Sequence, residues 1–215
     1  MAERISRLWQ KLRGEPAPSP DDQTDDHVVT VVSGLPRSGT SMMMKMLDEA
    51  GLPPLTDGIR TADRDNPKGY YEFERVKKLV DGDTAWVPEA QGKAVKVIAA
   101  LVQYLPPDYV YKMIFMQRNM DEILSSQRQM LVRRGEPTDT VDDGELATLF
   151  SKHLDQVTAW IALQPNIDVL YVNYNEVLTD PSGHAQKINR FLGNTLDAGK
   201  MAQVIDPSLY RQREA

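Results

Sequence analysis

The residues whose types and spacing could do chemistry begin with Pro36, Arg37, Ser38, Gly39, Thr40 and Ser41, a stretch that follows Gly34 and runs into a helical pattern. Backbone amides in a glycine-bounded turn can face inward, and a helix N-terminus adds unpaired N–H donors and the positive end of its dipole, so the stretch suits phosphate or sulfate. Arg37 supplies a permanent cation. A second pair, Arg118 and Ser126, straddles the start of another helical pattern, with the serine about two turns in, so both could reach one anion lying across that helix end. The plain alternative is that Arg118 pairs with a carboxylate and Ser126 is helix surface. Lys96 sits in the apolar run Ala94–Ile98, where a lysine is costly unless its ammonium emerges at a polar site. Glu72 and Glu74, beside Tyr70, Tyr71 and Phe73, are candidate bases under an aromatic roof; alternatively the aromatics are core anchors and the glutamates solvated.

The elements that must position these groups are legible around them. Val28, Val29, Val31 and Val32 are β-branched and nearly continuous, as in a parallel strand buried on both faces and ending at Ser33. Met42, Met43, Met46, Leu47 and Ala50 predict a helix from about Thr40, with Gly51 as its stop. From Gly34 to Ser41 the spacing matches the Walker frame GxxxxGK[ST] except that Thr40 stands where the phosphate-reaching lysine belongs, which counts against an ordinary ATPase or kinase. Leu52 to Gly69 reads as a long loop, followed by a helix from about Phe73 to Val80. Strands are expected over Ala94–Ile98, Tyr109–Gln117 and Ile167–Val172. Asn119 caps a helix in which Glu122 holds the capping-box position and Asp121 adds favourable charge. Gly135 to Glu145 reads as an exposed loop. Apolar periodicity predicts a helix over about Glu145–Ala162, in which His153 reads as packing or surface. Tyr174–Leu178 and an amphipathic stretch through Ile188, Phe191 and Leu192 follow. The fold class is therefore α/β, three-layer with a central parallel sheet, and P-loop NTPase-like.

Composition bounds the rest. At 215 residues the chain fits one α/β domain, taken as 27–215, preceded by a basic amphipathic helix over 1–14 and an acidic, proline-rich linker over 15–26. Residues 2–13 could dock weakly on a membrane or a protein, or fold back on the domain. His27 reads as surface. A formal charge of −6 gives no general drive toward nucleic acid, so polyanion binding must come from local cations such as Arg37, Lys93, Lys96 and Arg118. The absence of cysteine excludes thiolate chemistry and fits a reducing compartment. With no apolar run of about 18 residues and no signal-like segment, a cytoplasmic protein is expected.

The PRSGTS loop resembles the 5′-phosphosulfate loop of the sulfotransferase family, and Arg118 with Ser126 is similar to that family's 3′-phosphate motif, an arginine with a serine eight residues on. YNEVLTDP is similar to a packing stretch of the family, and NPKGYYE to a segment of bacterial members. The resemblance implies that Pro36, Arg37, Ser38, Gly39, Thr40, Ser41, Arg118 and Ser126 bind 3′-phosphoadenosine 5′-phosphosulfate (PAPS); Arg37 stands where many members carry lysine, and the tyrosylprotein branch is similar in using arginine there. Three departures accompany it. Many members end the second strand in Lys-x-His, with histidine as base; here the residues are Lys96, Val97 and Ile98. The glycine-rich carboxy-terminal motif is missing, leaving Arg211 and Arg213 as the residues that could close over a nucleotide. The chain is also short for the family, which limits how enclosed an acceptor pocket can be.

The expected activity is sulfuryl transfer from PAPS to a hydroxyl or amine of a small-molecule, lipid or carbohydrate acceptor, or of a protein side chain. Such in-line transfer asks mainly for positioning and charge neutralisation, with Arg37 and Lys96 catalytic, Glu72 as base with Asp63 or Asp65 behind it, and no metal. The competing readings are a kinase using ATP and magnesium, and a catalytically silent nucleotide-binding interaction module.

Overall fold

The computed structural model describes residues 28–59, 69–137 and 142–205. The expected N-terminal helix and linker, His27, Asp63, Asp65, Arg211 and Arg213 lie outside the described residues. Four strands, β1 (Val28–Gly34), β2 (Ala94–Lys96), β3 (Val110–Gln117) and β4 (Ile167–Asn173), form one sheet in the order β2-β1-β3-β4. All pairs are parallel, with Val32 opposite Lys96 on one side and Ile114 on the other.

Helices α1 (Thr40–Glu49), α2 (Met120–Arg134), α3 (Asp143–Ala162), α4 (Tyr174–Thr179), α5 (Pro181–Phe191) and α6 (Ala198–Gln203) complete the described regular structure, with three short 3-10 segments. Side chains alternate across a strand, and here each face has its own core. Val29, Val31, Tyr111, Met113 and Phe115 pack with Trp86, Val102, Val157 and Ile161 on one face. Val32, Ile114 and Met116 pack with Met43, Met46, Leu47, Val177, Ile188 and Met201 on the other. Two apolar faces explain why the strands read as nearly continuous hydrophobic runs, and the three-layer, P-loop-like α/β expectation holds. Met43, Met46 and Leu47 are fully buried, and each contributes about 1.5–3 kcal/mol of transfer free energy that ties α1 to the sheet.

The ends of α1 follow its sequence. At its C-terminus Gly51 adopts φ 102°, while Gly51 N–H donates to Asp48 O (3.1 Å) and Leu52 N–H to Leu47 O (2.9 Å), the paired bonds of a Schellman motif. Elsewhere boundaries move. The strand expected to reach Ile98 stops at Lys96. The register sets Ile98 level with Gly34, where β1 turns away, so a longer edge strand has no partner there; instead Ile98 opens a 3-10 segment over Ala99–Tyr104. The expected helix near Phe73–Val80 is a 3-10 turn, Glu74–Asp81, ended by Gly82 at φ 83°. The described start of the long loop is tethered to the outer edge of β2, with Leu55 N–H on Ala94 O at 2.8 Å. Helix α6 is a helix the sequence pattern does not announce, capped by Asp197, which accepts from Lys200 N–H.

Candidate functional site

All four strands deliver residues to one edge of the sheet. The loop from Gly34 to Thr40 follows β1, Lys96 is the last residue of β2, Arg118 follows β3, and Tyr174 follows β4. In an open α/β sheet this carboxyl edge is where ligands gather.

Close packing makes the loop a glycine-bounded turn. Gly34 has φ 143°, and a Cβ there would lie 2.6 Å from Ser38 Oγ and 2.7 Å from Met116 O. Gly39 has φ 100°, and its Cβ would lie 2.5 Å from Cδ2 of Tyr174. Only glycine fits either position. Ser38 is buried; its hydroxyl donates to Leu35 O at 2.7 Å, so it shapes the turn from within. Arg37 adopts φ 69°, a left-handed conformation that ordinary residues enter at a cost. Helix α1 then starts at Gly39 with no side-chain cap, leaving its first backbone N–H groups available to an outside acceptor.

Two groups of side chains flank this helix start. On one side Arg37 Nε donates to Ser126 Oγ at 2.8 Å. Arg118 donates through Nη1 to Arg37 O at 3.0 Å, and its guanidinium lies 4.4 Å from the centroid of Tyr174. Its Nε also donates to Glu122 Oε2 at 2.7 Å. The carboxylate pairing weighed as the plain alternative is thus real, and Arg118 holds the loop as well. Ser126 is buried rather than helix surface. On the other side Lys96 Nζ donates to Ser41 Oγ at 3.1 Å and to Tyr70 O at 2.7 Å, and lies 3.8 Å from Glu72 Oε1. The ammonium does emerge at a polar site, and Ser41 and Glu72 are there with it.

Around these groups the environment is dry enough to move a phenol. Burial pushes the Tyr174 hydroxyl upward; Arg118 opposes this, Glu122 reinforces it and Arg37 opposes it again. Tyr71 is also raised, by burial first and then by its hydrogen bond to Asp48 Oδ2, at 3.0 Å.

Most of the sequence-derived residues are therefore brought together. Pro36 is exposed on the loop and Thr40 is buried at its foot. Glu74 points elsewhere, pairing with Lys77 Nζ at 2.7 Å. Tyr70 is buried and Phe73 packs edge-on against Trp86, so the aromatics serve partly as core anchors. His153 lies within α3, with Nε2 buried and no hydrogen-bond partner. Sequence reasoning missed Glu122 as more than a capping residue, Asn175 altogether, and Tyr174 as more than packing. Among the described residues, no cluster of three or more His, Asp or Glu side chains is arranged to hold a metal. No helix among them is long and apolar enough to cross a membrane.

A parallel sheet with a glycine-bounded loop entering a helix start, and cations at its carboxyl edge, defines a class, the P-loop-like α/β folds. The family follows from the sequence: the model described as the sulfotransferase domain matches residues 25–212, and the chain belongs to that family. Its class of activity is that of a transferase, a sulfotransferase. A search of curated proteins by sequence finds no match. Among solved structures, the sulfotransferase domain of the Synechococcus olefin synthase is similar at 16% identity and a TM-score of 0.50, covering 89% of this chain and 85% of that one. A sulfotransferase from Mycobacterium tuberculosis is similar at 14% identity and 0.50, covering 97% of this chain and 79% of that one. At these identities the likeness speaks for the fold.

Proposed function

We propose that the protein transfers a sulfuryl group from 3′-phosphoadenosine 5′-phosphosulfate to a hydroxyl or amine of a small-molecule, lipid or carbohydrate acceptor. The observation that carries this reading is the pair of cations flanking one uncapped helix start: Arg37 beside Ser126, and Lys96 beside Ser41. The donor carries an activated sulfate at its 5′ end and a phosphate at its 3′ end, and two anionic ends suit a loop with Lys96 on one side and Arg37, Arg118 and Ser126 on the other.

In this reading the first N–H groups of α1, with Thr40 and Ser41, hold the 5′-phosphate, and Arg118 and Ser126 hold the 3′-phosphate. Arg37 neutralises charge on the leaving phosphate, and Lys96 faces the transferring group. As the acceptor oxygen or nitrogen bonds to sulfur and the bond from sulfur to the phosphate oxygen breaks, the acceptor proton passes to Glu72. Its carboxylate lies beside Lys96, where Ile98, at the position the family often gives to histidine, offers no base.

Thermal stabilisation tests the donor. A ligand that binds only the folded state at a hundred times its dissociation constant adds about 2.7 kcal/mol. We expect 3′,5′-diphosphoadenosine to raise the melting temperature and ATP with magnesium to leave it unchanged. The opposite pattern defeats the reading in favour of a kinase. Release of diphosphoadenosine from labelled donor, with a panel of acceptors, then separates the enzyme from a silent binding module.

A further inference from the structure

Glu122 stands as the third residue of α2, where a carboxylate is expected to face solvent and cap backbone N–H groups. Its side chain is instead only 5% exposed. Oε2 accepts from Arg118 Nε at 2.7 Å and Oε1 accepts from Asn175 Nδ2 at 2.7 Å, so each oxygen meets a different donor. Arg118 passes the constraint on, with Nη1 on Arg37 O and its plane over Tyr174, whose ring lies against Gly39. One carboxylate thus ties together the start of α2, the start of α4 and the anion loop.

A buried ion pair gives little net stability, because desolvation offsets most of the attraction. Its value here is geometric. A guanidinium held by one edge on a carboxylate and by its face on an aromatic ring has lost both the rotations by which it could leave its position. We infer that Glu122 is a positioning residue of the donor site: gripped by Asn175, it fixes Arg118 so that the guanidinium both secures the Arg37 carbonyl and meets the nucleotide. This rests on the donor reading above, in which Arg118 meets the 3′-phosphate.

The two donors facing Glu122 specify the test. Glutamine offers one acceptor oxygen and one NH2 and carries no charge, so Glu122→Gln loosens its hold on Arg118 and meets Asn175 only if that amide turns its Oδ1 toward the new NH2. Asn175→Asp sets two carboxylates against each other. Combining them restores the pairing, with the Gln carbonyl toward Arg118 and its NH2 toward the new aspartate, and conserves net charge. Calorimetric titration of the full chain with 3′,5′-diphosphoadenosine and with adenosine 5′-phosphate reads the outcome.

Each single variant should weaken the diphosphate about tenfold or more and the monophosphate less than about threefold, while the double variant should return to within about threefold of the unaltered protein. Equal weakening of both nucleotides, or a double variant no better than the singles, marks Glu122 as a fold-stabilising group only and overturns the inference. If Glu122→Gln alone yields no soluble protein, the double variant decides: diphosphate affinity near that of the unaltered protein supports the role, and a tenfold deficit rejects it. An unaltered protein that binds neither nucleotide overturns the donor reading first, visibly and before any variant is made, and the inference falls with it.

Discussion

Arg37 and Lys96 flank the start of α1, and they are held by different means. Arg37 is fixed by a side-chain hydrogen bond to Ser126 and by its own left-handed backbone. Lys96 is held by a backbone carbonyl, Tyr70 O, and a hydroxyl, Ser41 Oγ, with its side chain only 10% exposed. An ammonium in so dry a place needs oxygens around it, and a transferring sulfonate would offer similar ones. In the proposed mechanism each cation stabilises charge at the reacting centre, so replacing either should cost on the order of 10²–10³ in turnover. Arg37→Ala and Lys96→Met should each show such a loss in a donor-consumption assay, with Lys96→Met leaving diphosphoadenosine affinity within about threefold because in the proposed mechanism Lys96 faces the sulfuryl group, which diphosphoadenosine lacks. Retention of most of the turnover by Arg37→Ala, with donor bound normally, would sink the mechanism.

At the scale of elements, the strand order explains how those side chains meet. β1 lies between β2 and β3, so the loop that leaves it has Lys96 arriving from one neighbour and Arg118 from the other. This is a switch point, where consecutive strands are laid on opposite sides of the first. Tyr174, delivered by the outer strand β4, closes the arrangement by packing on Gly39. Gly39→Ala should therefore act as a steric wedge: the added methyl must displace the ring or the loop, and alanine is also strained at φ 100°. We expect a loss of about 1–3 kcal/mol in urea unfolding and a larger proportional loss of nucleotide binding, whereas Gly51→Ala, with nothing near its Cβ, should cost stability without touching binding.

The same elements show why some of the site is legible in the sequence and some is not. Arg37 and Arg118 can be found because each follows an apolar run, Lys96 because it is a cation inside one, and Ser126 because it stands two turns into a helix whose start is marked by a cap; all of these are local information. Glu122 is hidden by a sufficient local explanation, the capping pattern after Asn119. Tyr174 and Asn175 reach α2 and the loop only through the strand order, over a sequence separation of 53 residues between Glu122 and Asn175. Tyr70 contributes a carbonyl, which no side-chain type advertises. The early end of β2 depends on where its partner strand turns, a fact carried by β1 rather than by Val97 or Ile98.

For the whole molecule, burying aromatic residues in two cores couples folding to alkaline pH. Tyr71, Tyr111, Tyr171 and Tyr174 all have hydroxyls pushed above the usual phenol range, with burial the largest cause for each. Tyr111 is the most strongly raised, by burial and then by the charges of Tyr109 and Asp108, while its hydroxyl donates to Pro106 O at 2.9 Å. A group whose folded pKa is raised favours the protonated folded state. Its contribution is complete below the unfolded phenol value near 10 and is lost as pH climbs from there toward the folded value, because the unfolded chain gives up a proton that the folded chain keeps. Each such tyrosine steepens the decline by up to about 1.4 kcal/mol per pH unit. Urea unfolding at pH 8, 10 and 11 should therefore show stability falling above about pH 10. Tyr111→Phe should begin about 1 kcal/mol less stable at pH 8, having lost the hydrogen bond to Pro106, and then fall less steeply, so the two curves converge as pH rises. Parallel curves across that range would mean that Tyr111 ionises as readily in the folded protein as in the unfolded chain, and that the core around β3 admits water.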